Sequence, residues 1–220
     1  MNEIIIHSGE RFERVYLNEP GLDLHFVQEA GSALKIHLVN VPRDKEQSTK
    51  EVHNCVFVEQ VGEGCETEIY ALAHLRGDEQ LTTETHVNHA VGGGKSNQLL
   101  KFVLEDEARG RFVGDLKIAP DAQKTEAHQT NRNLLLSETA EMRTQPQLEI
   151  YADDVQATHG ASTGQLDESA LFYMQQRGID KQKARQLLVG AFMKEVVETI
   201  GDQYSAVREQ LLNAIDGVIE

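Results

Sequence analysis

The chain changes texture near Gly164. Before it, apolar residues recur with a period of two. Leu34, Ile36 and Leu38 alternate with Lys35, His37 and Val39, and Ile69, Ala71 and Ala73 alternate with Tyr70, Leu72 and His74. Leu116 and Ile118 flank Lys117, and Leu148 and Ile150 flank Glu149. A period of two predicts strands with one buried face. Each run follows a cluster of small residues, at Ala30–Ala33, Gly62–Cys65, Ala108–Gly110 and Thr139–Ala140. A tight corner followed by an alternating strand is what a coil of a β-helix needs. The clusters are unevenly spaced, roughly 30 to 45 residues apart, so an interval has room for more than one rung. A β-sandwich produces many of the same runs. The pattern favours a solenoid without deciding it.

After Gly164 the period becomes helical. Asp167 is placed to cap a helix through Ala170, Leu171, Phe172 and Met174, with Gly178 ending it. Asp180 caps a second, in which Leu188, Phe192, Val196 and Ile200 fall four apart on one face until Gly201 stops it. A third begins near Tyr204 and carries Val207, Leu211, Leu212, Ile215 and Val218 on one stripe. The expected division is a β core over residues 1–163 and a helical unit over 164–220. Such helices either cap the β core or offer a docking face.

Composition narrows the function classes. The 220 residues hold 36 Asp plus Glu against 21 Lys plus Arg, a net charge of −15. Nucleic-acid binding needs clustered cations and is disfavoured. No uncharged apolar run is long enough for a transmembrane helix. Glu3 precedes Ile4-Ile5-Ile6 with no basic stretch, which does not read as a signal peptide. Cys55 and Cys65 are the only cysteines, too few for a disulfide framework and suited to a reducing, cytoplasmic setting. Aromatics are 5% with no Trp, while Gly numbers 17. This predicts a core of stacked Leu, Ile, Val and Ala.

Several segments invite chemistry. Val91–Ser96 reads V-G-G-G-K-S, but the place of the first P-loop glycine holds His89 and an apparent strand follows. A glycine-rich turn is the better reading. His86 and His89 lack the i, i+4 helical spacing of a zinc protease, and histidines in such strands read as surface or hydrogen-bonded polar alternates. Cys55 and Cys65, without a C-x-x-C or a suitably spaced His, read as small buried hydrophobes. Asp153 and Asp154 with His159 suggest acid–base work of the kind found in β-helix enzymes acting on polysaccharides. Neighbouring strand residues point to opposite faces, so the two carboxylates converge only if the chain turns there. His159 is the more interesting candidate, because it sits where the β pattern meets the helices.

From Ser96 to Ile200 the chain resembles the SufB/SufD family of iron–sulfur cluster assembly proteins, most closely its SufD members. The resemblance rests on S-N-Q-L-L-K (Ser96–Lys101), A-R-G-R-F-V-G-D-L (Ala108–Leu116) and A-Q-K-T-E-A-H-Q-T-N-R-N-L-L-L-S-E (Ala122–Glu138). It continues in P-Q-L-E-I-Y-A-D-D-V (Pro146–Val155), T-H-G-A-S-T-G-Q-L-D (Thr158–Asp167) and L-F-Y-M-Q-Q-R-G-I (Leu171–Ile179). It implies a right-handed parallel β-helix followed by a small helical domain. It also implies a non-catalytic scaffold subunit that pairs with a SufB-like subunit, or with itself, and docks the SufC ABC-type ATPase. Docking would fall to Phe172, Tyr173, Arg177, Leu188 and Phe192 on the helices.

In the same resemblance His159 matches the histidine of a C-S-H-G motif, implicated in contact with a nascent iron–sulfur cluster or iron at the subunit interface. The motif's cysteine is Ala157 here, so a site would need thiolates from a partner. No intrinsically bound cofactor is expected. Typical SufD proteins also carry an N-terminal helical domain that a chain of this length does not accommodate. The rival expectation is a stand-alone β-helix enzyme acting through Asp153, Asp154 and His159.

Overall fold

A computed structural model describes residues 3–41 and 50–217. The period of two folds into twelve strands: β1 (Glu3–Ile6), β2 (Arg11–Leu17), β3 (Leu22–Gln28), β4 (Ala33–Asn40), β5 (Glu51–Gln60), β6 (Glu66–Leu75), β7 (Gln80–His89), β8 (Lys95–Leu104), β9 (Arg109–Ile118), β10 (Thr125–Leu135), β11 (Glu141–Ile150) and β12 (Val155–Gly164). Odd strands form one sheet in the order β1-β3-β5-β7-β9-β11, and even strands form the other, β12-β10-β8-β6-β4-β2. Each neighbouring pair is parallel. The chain therefore winds as a β-solenoid, alternating between two facing sheets.

One coil holds two strands and two corners. Glu51 lies beside Gln80 and Gln80 beside Arg109, a step of 29 residues. The shorter intervals between small-residue clusters reflect single coils of this size, not several rungs. The long interval, from Gly62–Cys65 to Ala108–Gly110, passes two corners, β6–β7 and β7–β8, and so spans one and a half coils.

Inward rows stack like on like across coils. Leu34, Ile36, Leu38, Val56, Val58, Ile69, Leu100, Phe102, Leu104 and Phe112 are all buried in one core. Phe26, Phe102 and Phe112 are among the largest fully buried side chains. The core is thus not purely aliphatic: few aromatics are present, but three of them occupy its centre.

The helical texture gives α1 (Glu168–Gln176), α2 (Lys181–Val197), a single 3-10 turn (Asp202–Tyr204) and α3 (Ser205–Gly217). Asp167 accepts from Ser169 N at 2.8 Å and Asp180 from Lys183 N at 3.0 Å, as their N-cap placement predicts. Gly178 takes φ +84° beyond α1, with its N–H on Gln175 O and Ile179 N–H on Met174 O. This is the paired bonding of a Schellman ending, which needs a left-handed residue there.

The buried stripe of α2 is Ala184, Val189, Met193, Val196 and Val197. Val196 and Ile200 of the stripe drawn in steps of four are buried, whereas Leu188 and Phe192 are half-buried, so the predicted face holds at the end of α2 and is rotated earlier in it. Val218 and Glu220 lie outside the described residues.

These helices neither cap the solenoid's end nor stand free. They cover the outer face of the even-stranded sheet, where Val39, Tyr70, Leu72, Val103 and Leu134 join Val189, Met193, Val196, Leu211 and Ile215 in a second core. That explains why β4 buries both faces. Polar ties reinforce the seam: Lys101 Nζ donates to Phe192 O at 3.0 Å and pairs with Glu195. His37 Nε2 meets Thr199 Oγ1 at 2.9 Å, and Gly201 N donates to Glu13 Oε1 at 3.0 Å.

Candidate functional site at the open end of the solenoid

The last coil, β11 and β12, has no further coil against it among the described residues. Its inward positions still point into the lumen but are open to solvent at its end. On β9 the inward residues are buried, whereas on β11 and β12 the same positions are half-buried or exposed. Two ten-residue strand edges lie side by side here with unpaired backbone groups. Edges of this length normally need a cover or a partner strand.

His159 sits on β12, within the strand and not at its junction with the helices. It extends the inward row Ile36–Ile69–Gln98–Gln129–His159. The first two members are apolar and the next two are amides, so the row turns polar as it approaches the open end. Gln98 and Gln129 are 0% and 2% exposed, and their amide groups have no hydrogen-bond partner among the described residues. Opposite them, a Cβ at Gly114 would meet Gln129 Nε2 and Oε1 at 2.4 Å. Glycine on β9 is what gives that amide room.

Ala157 continues the neighbouring row Leu34–Thr67–Ser96–Ala127–Ala157. A methyl group thus stands two residues from the imidazole on the same face. No thiolate comes from this position.

Asn131 and Asn133 brace the strand that carries His159. Their amides bond reciprocally at 3.0 and 2.7 Å, and Asn133 Nδ2 reaches Thr163 Oγ1 at 3.2 Å. On the outer face, His128 Nδ1 lies 2.8 Å from Thr158 Oγ1. Gln98, Gln129, Gly114, Asn131 and Asn133 all went unrecognised as site residues in sequence. Their signal is polar or glycine residues in inward phase on otherwise apolar rows.

Asp153 and Asp154 form the exposed corner between β11 and β12, and the Asp154 N–H donates to Gln123 Oε1 at 2.9 Å. The chain does turn there. From that corner to His159 a strand rising 3.3 Å per residue runs about 15 Å. The three side chains therefore do not form one acid–base centre.

The helix residues separate into two groups. Phe172 and Tyr173 on α1 are 62% and 58% exposed, with the Arg177 guanidinium 4.7 Å from the Tyr173 ring centre. Phe192 lies under Lys101 Nζ, 4.3 Å from its ring centre, and packs on the second core, while Leu188 is half-buried. Phe172, Tyr173 and Arg177 face outward, and Phe192 serves mainly the seam.

The glycine run at Gly92–Gly94 is a turn leading into β8, as its sequence reads. His89 and His86 project to opposite faces of β7. Of the expected surface or hydrogen-bonded histidines, His37, His74 and His89 are fully buried and each is hydrogen-bonded through Nε2, to Thr199, Glu105 and Ser96. Cys65 is buried, with Sγ 3.1 Å from Glu29 O and Gly62 O. Cys55 is not a core residue: it lies half-buried on the outer face of the odd-stranded sheet, near Glu84 and His86.

No helix among the described residues is long and apolar enough to cross a membrane. Residues 25–192 match the family model described as SUF system FeS cluster assembly, SufBD core domain. Iron-sulfur cluster assembly protein SufD of Escherichia coli (strain K12) is 40% identical over 154 residues, covering 70% of this chain and 36% of that protein. Protein ABCI7, chloroplastic, of Arabidopsis thaliana is 30% identical across 99% of this chain and 46% of its own length. SufBD family protein Rv1462 of Mycobacterium tuberculosis is 34% identical across 99% of this chain and 56% of its own. The chain spans about a third to a little over half the length of these relatives. With the family model matching most of its solenoid and part of its helical unit, the chain belongs to the SufBD family of iron–sulfur cluster assembly proteins.

Proposed function

We propose that this chain is a SufD-like, non-catalytic subunit of a cytoplasmic SufBCD-type scaffold on which iron–sulfur clusters are assembled. The observation that carries this reading is the open solenoid end. Two full-length strand edges are presented beside a polar lumen, and His159 stands on that lumen's last row. Main-chain pairing of these edges to a second solenoid would continue both sheets across the junction. The partner is a SufB-like subunit or a second copy of this chain.

His159 would then lie at the junction, where its imidazole serves as a ligand to cargo iron or a nascent cluster. With Ala157 in place of a cysteine, the thiolates come from the partner. Phe172, Tyr173 and Arg177 form the exposed patch best placed to dock the SufC-like ATPase, with Leu188 and Phe192 holding α2 in position behind it. The relatives' names support cluster assembly; pairing and docking are argued from the exposed edges and the α1 patch.

The test is reconstitution with SufB-like and SufC-like subunits. His159→Ala should leave the complex intact by size-exclusion chromatography while cutting cluster yield, read by visible absorbance, at least several-fold. Unchanged yield in an intact complex would remove His159 from cluster handling.

A further inference from the structure

A second group of ligating side chains lies on the outer face of the odd-stranded sheet, away from the open end. The 29-residue step of the coil sets Cys55 on β5 directly beside Glu84 on β7. His86 is two residues further along β7, on the same face. Ligand atoms of Cys55, Glu84 and His86 all lie within 4.8 Å of one another. A tetrahedral ion with bonds of about 2.0–2.3 Å needs its ligand atoms about 3.3–3.8 Å apart. Side-chain rotation of about 1 Å closes that difference.

The surroundings orient these groups. His86 Nδ1 faces Asp115 Oδ2 at 3.5 Å, and its Nε2 faces Glu84 Oε2 at 3.9 Å. A carboxylate behind one ring nitrogen, with the other nitrogen aimed at the ligand cluster, is the usual outer support of a metal-bound histidine. Asp115 Oδ1 is buried without a partner among the described residues. The ring of Phe57 stacks on His86 at 4.3 Å and 8°, fixing its plane. Glu84 spends its other oxygen on Arg111 Nη1 at 3.1 Å, with His53 Nε2 at 3.5 Å. Its Oε2 therefore stays turned toward the thiol and imidazole. Beside the cluster a surface depression lined by Gly21, Leu22, Asp23, His53 and Cys55 leaves a solvent approach.

We propose that Cys55, Glu84 and His86 form a binding site for a divalent transition metal of borderline softness, such as Zn²⁺ or Co²⁺, with Asp115 as the positioning carboxylate of His86. One thiolate, one imidazole and one carboxylate suit such ions better than Mg²⁺ or Ca²⁺. The fourth position is open to water or to His53. Bound there, the ion joins two successive coils through their outer face. Burial, with Glu84 and Asp23 nearby, pushes the Cys55 thiol up to about 11. The free site thus holds a protonated thiol, and the metal displaces that proton on binding.

The experiment is titration of the purified, metal-stripped, reduced full chain with Co²⁺. The expected result is saturable one-to-one binding with a thiolate-to-cobalt charge-transfer band in the near ultraviolet, bleached by Zn²⁺. Cys55→Ser should abolish the band and Cys65→Ala should leave it unchanged. Asp115→Asn should weaken Co²⁺ binding by about 10- to 100-fold, as loss of an outer-shell partner does. Circular dichroism confirms that each variant is folded. Absence of saturable binding by the wild-type chain, or a band that survives Cys55→Ser, would overturn the assignment.

Discussion

The seam between solenoid and helices depends on one buried cation, and its removal can be given a size. Lys101 points outward from β8 under α2, with its side chain 3% exposed. Its ammonium is held by Glu195, by Phe192 O at 3.0 Å and by the Phe192 ring at 4.3 Å. Breaking a fully buried ion pair by deleting one partner costs about 3–5 kcal/mol, because the other charge stays buried unpaired. Glu195 is 47% exposed and also lies 3.6 Å from Arg132 Nη1, so water screens part of the interaction. Lys101 also keeps its carbonyl and ring contacts. Glu195→Ala should therefore cost about 2 kcal/mol, or roughly 4–8 °C in Tm for a chain of this size. Lys101→Met removes the charge and keeps the apolar stem, and should cost about 1 kcal/mol or less. The double variant should resemble Lys101→Met alone, a coupling of about 2 kcal/mol in magnitude. Urea midpoints for all four proteins, followed by far-ultraviolet circular dichroism, supply the cycle. If Glu195→Ala cost no more than Lys101→Met and the two effects simply added, the buried ammonium would not be what the carboxylate compensates.

Acid should weaken the solenoid through its buried imidazoles. His89, bonded at 2.9 Å to Ser96 Oγ, is held by burial at about 4 against an ordinary 6.5. Between those values the unfolded chain takes up a proton that the folded chain refuses, so stability falls as pH drops from 6.5 toward 4, by about 3 kcal/mol. His89→Gln, which continues the row of Gln28 and Gln60, should flatten this decline. Parallel stability curves for variant and wild type from pH 7 to 4 would contradict it. On α1, Phe172→Asp should leave stability within about 0.5 kcal/mol, as an exposed position allows, yet weaken capture of a SufC-like ATPase at least tenfold. Interferometry showing equal affinity would move docking elsewhere. Point substitution is the right tool because deleting α2 and α3 would bare Val39, Tyr70, Leu72 and Val103.

Sequence alone determined most of the local structure. Alternation marked β4, β6, β9 and β11, Asp167 and Asp180 marked helix starts, and Gly178 marked a stop, because each signal lies within a few residues of its effect. The family motifs likewise singled out His159, with Ala157 two residues before it. Tertiary structure decided everything that depends on which coil lies beside which. Leu188, Phe192, Val196 and Ile200 read as the buried face of α2; the even-stranded sheet kept Val196 and Ile200 but selected Val189 and Met193 in place of Leu188 and Phe192. His37 reads as a surface or hydrogen-bonded alternate, and it is Thr199, just beyond α2, that bonds and helps bury it. Cys55 has no useful neighbour in sequence, yet a parallel step of 29 residues brings Glu84 and His86 to it. Period and caps are properties of one segment, whereas burial and ligand clusters belong to pairs of segments whose separation only the winding of the solenoid sets.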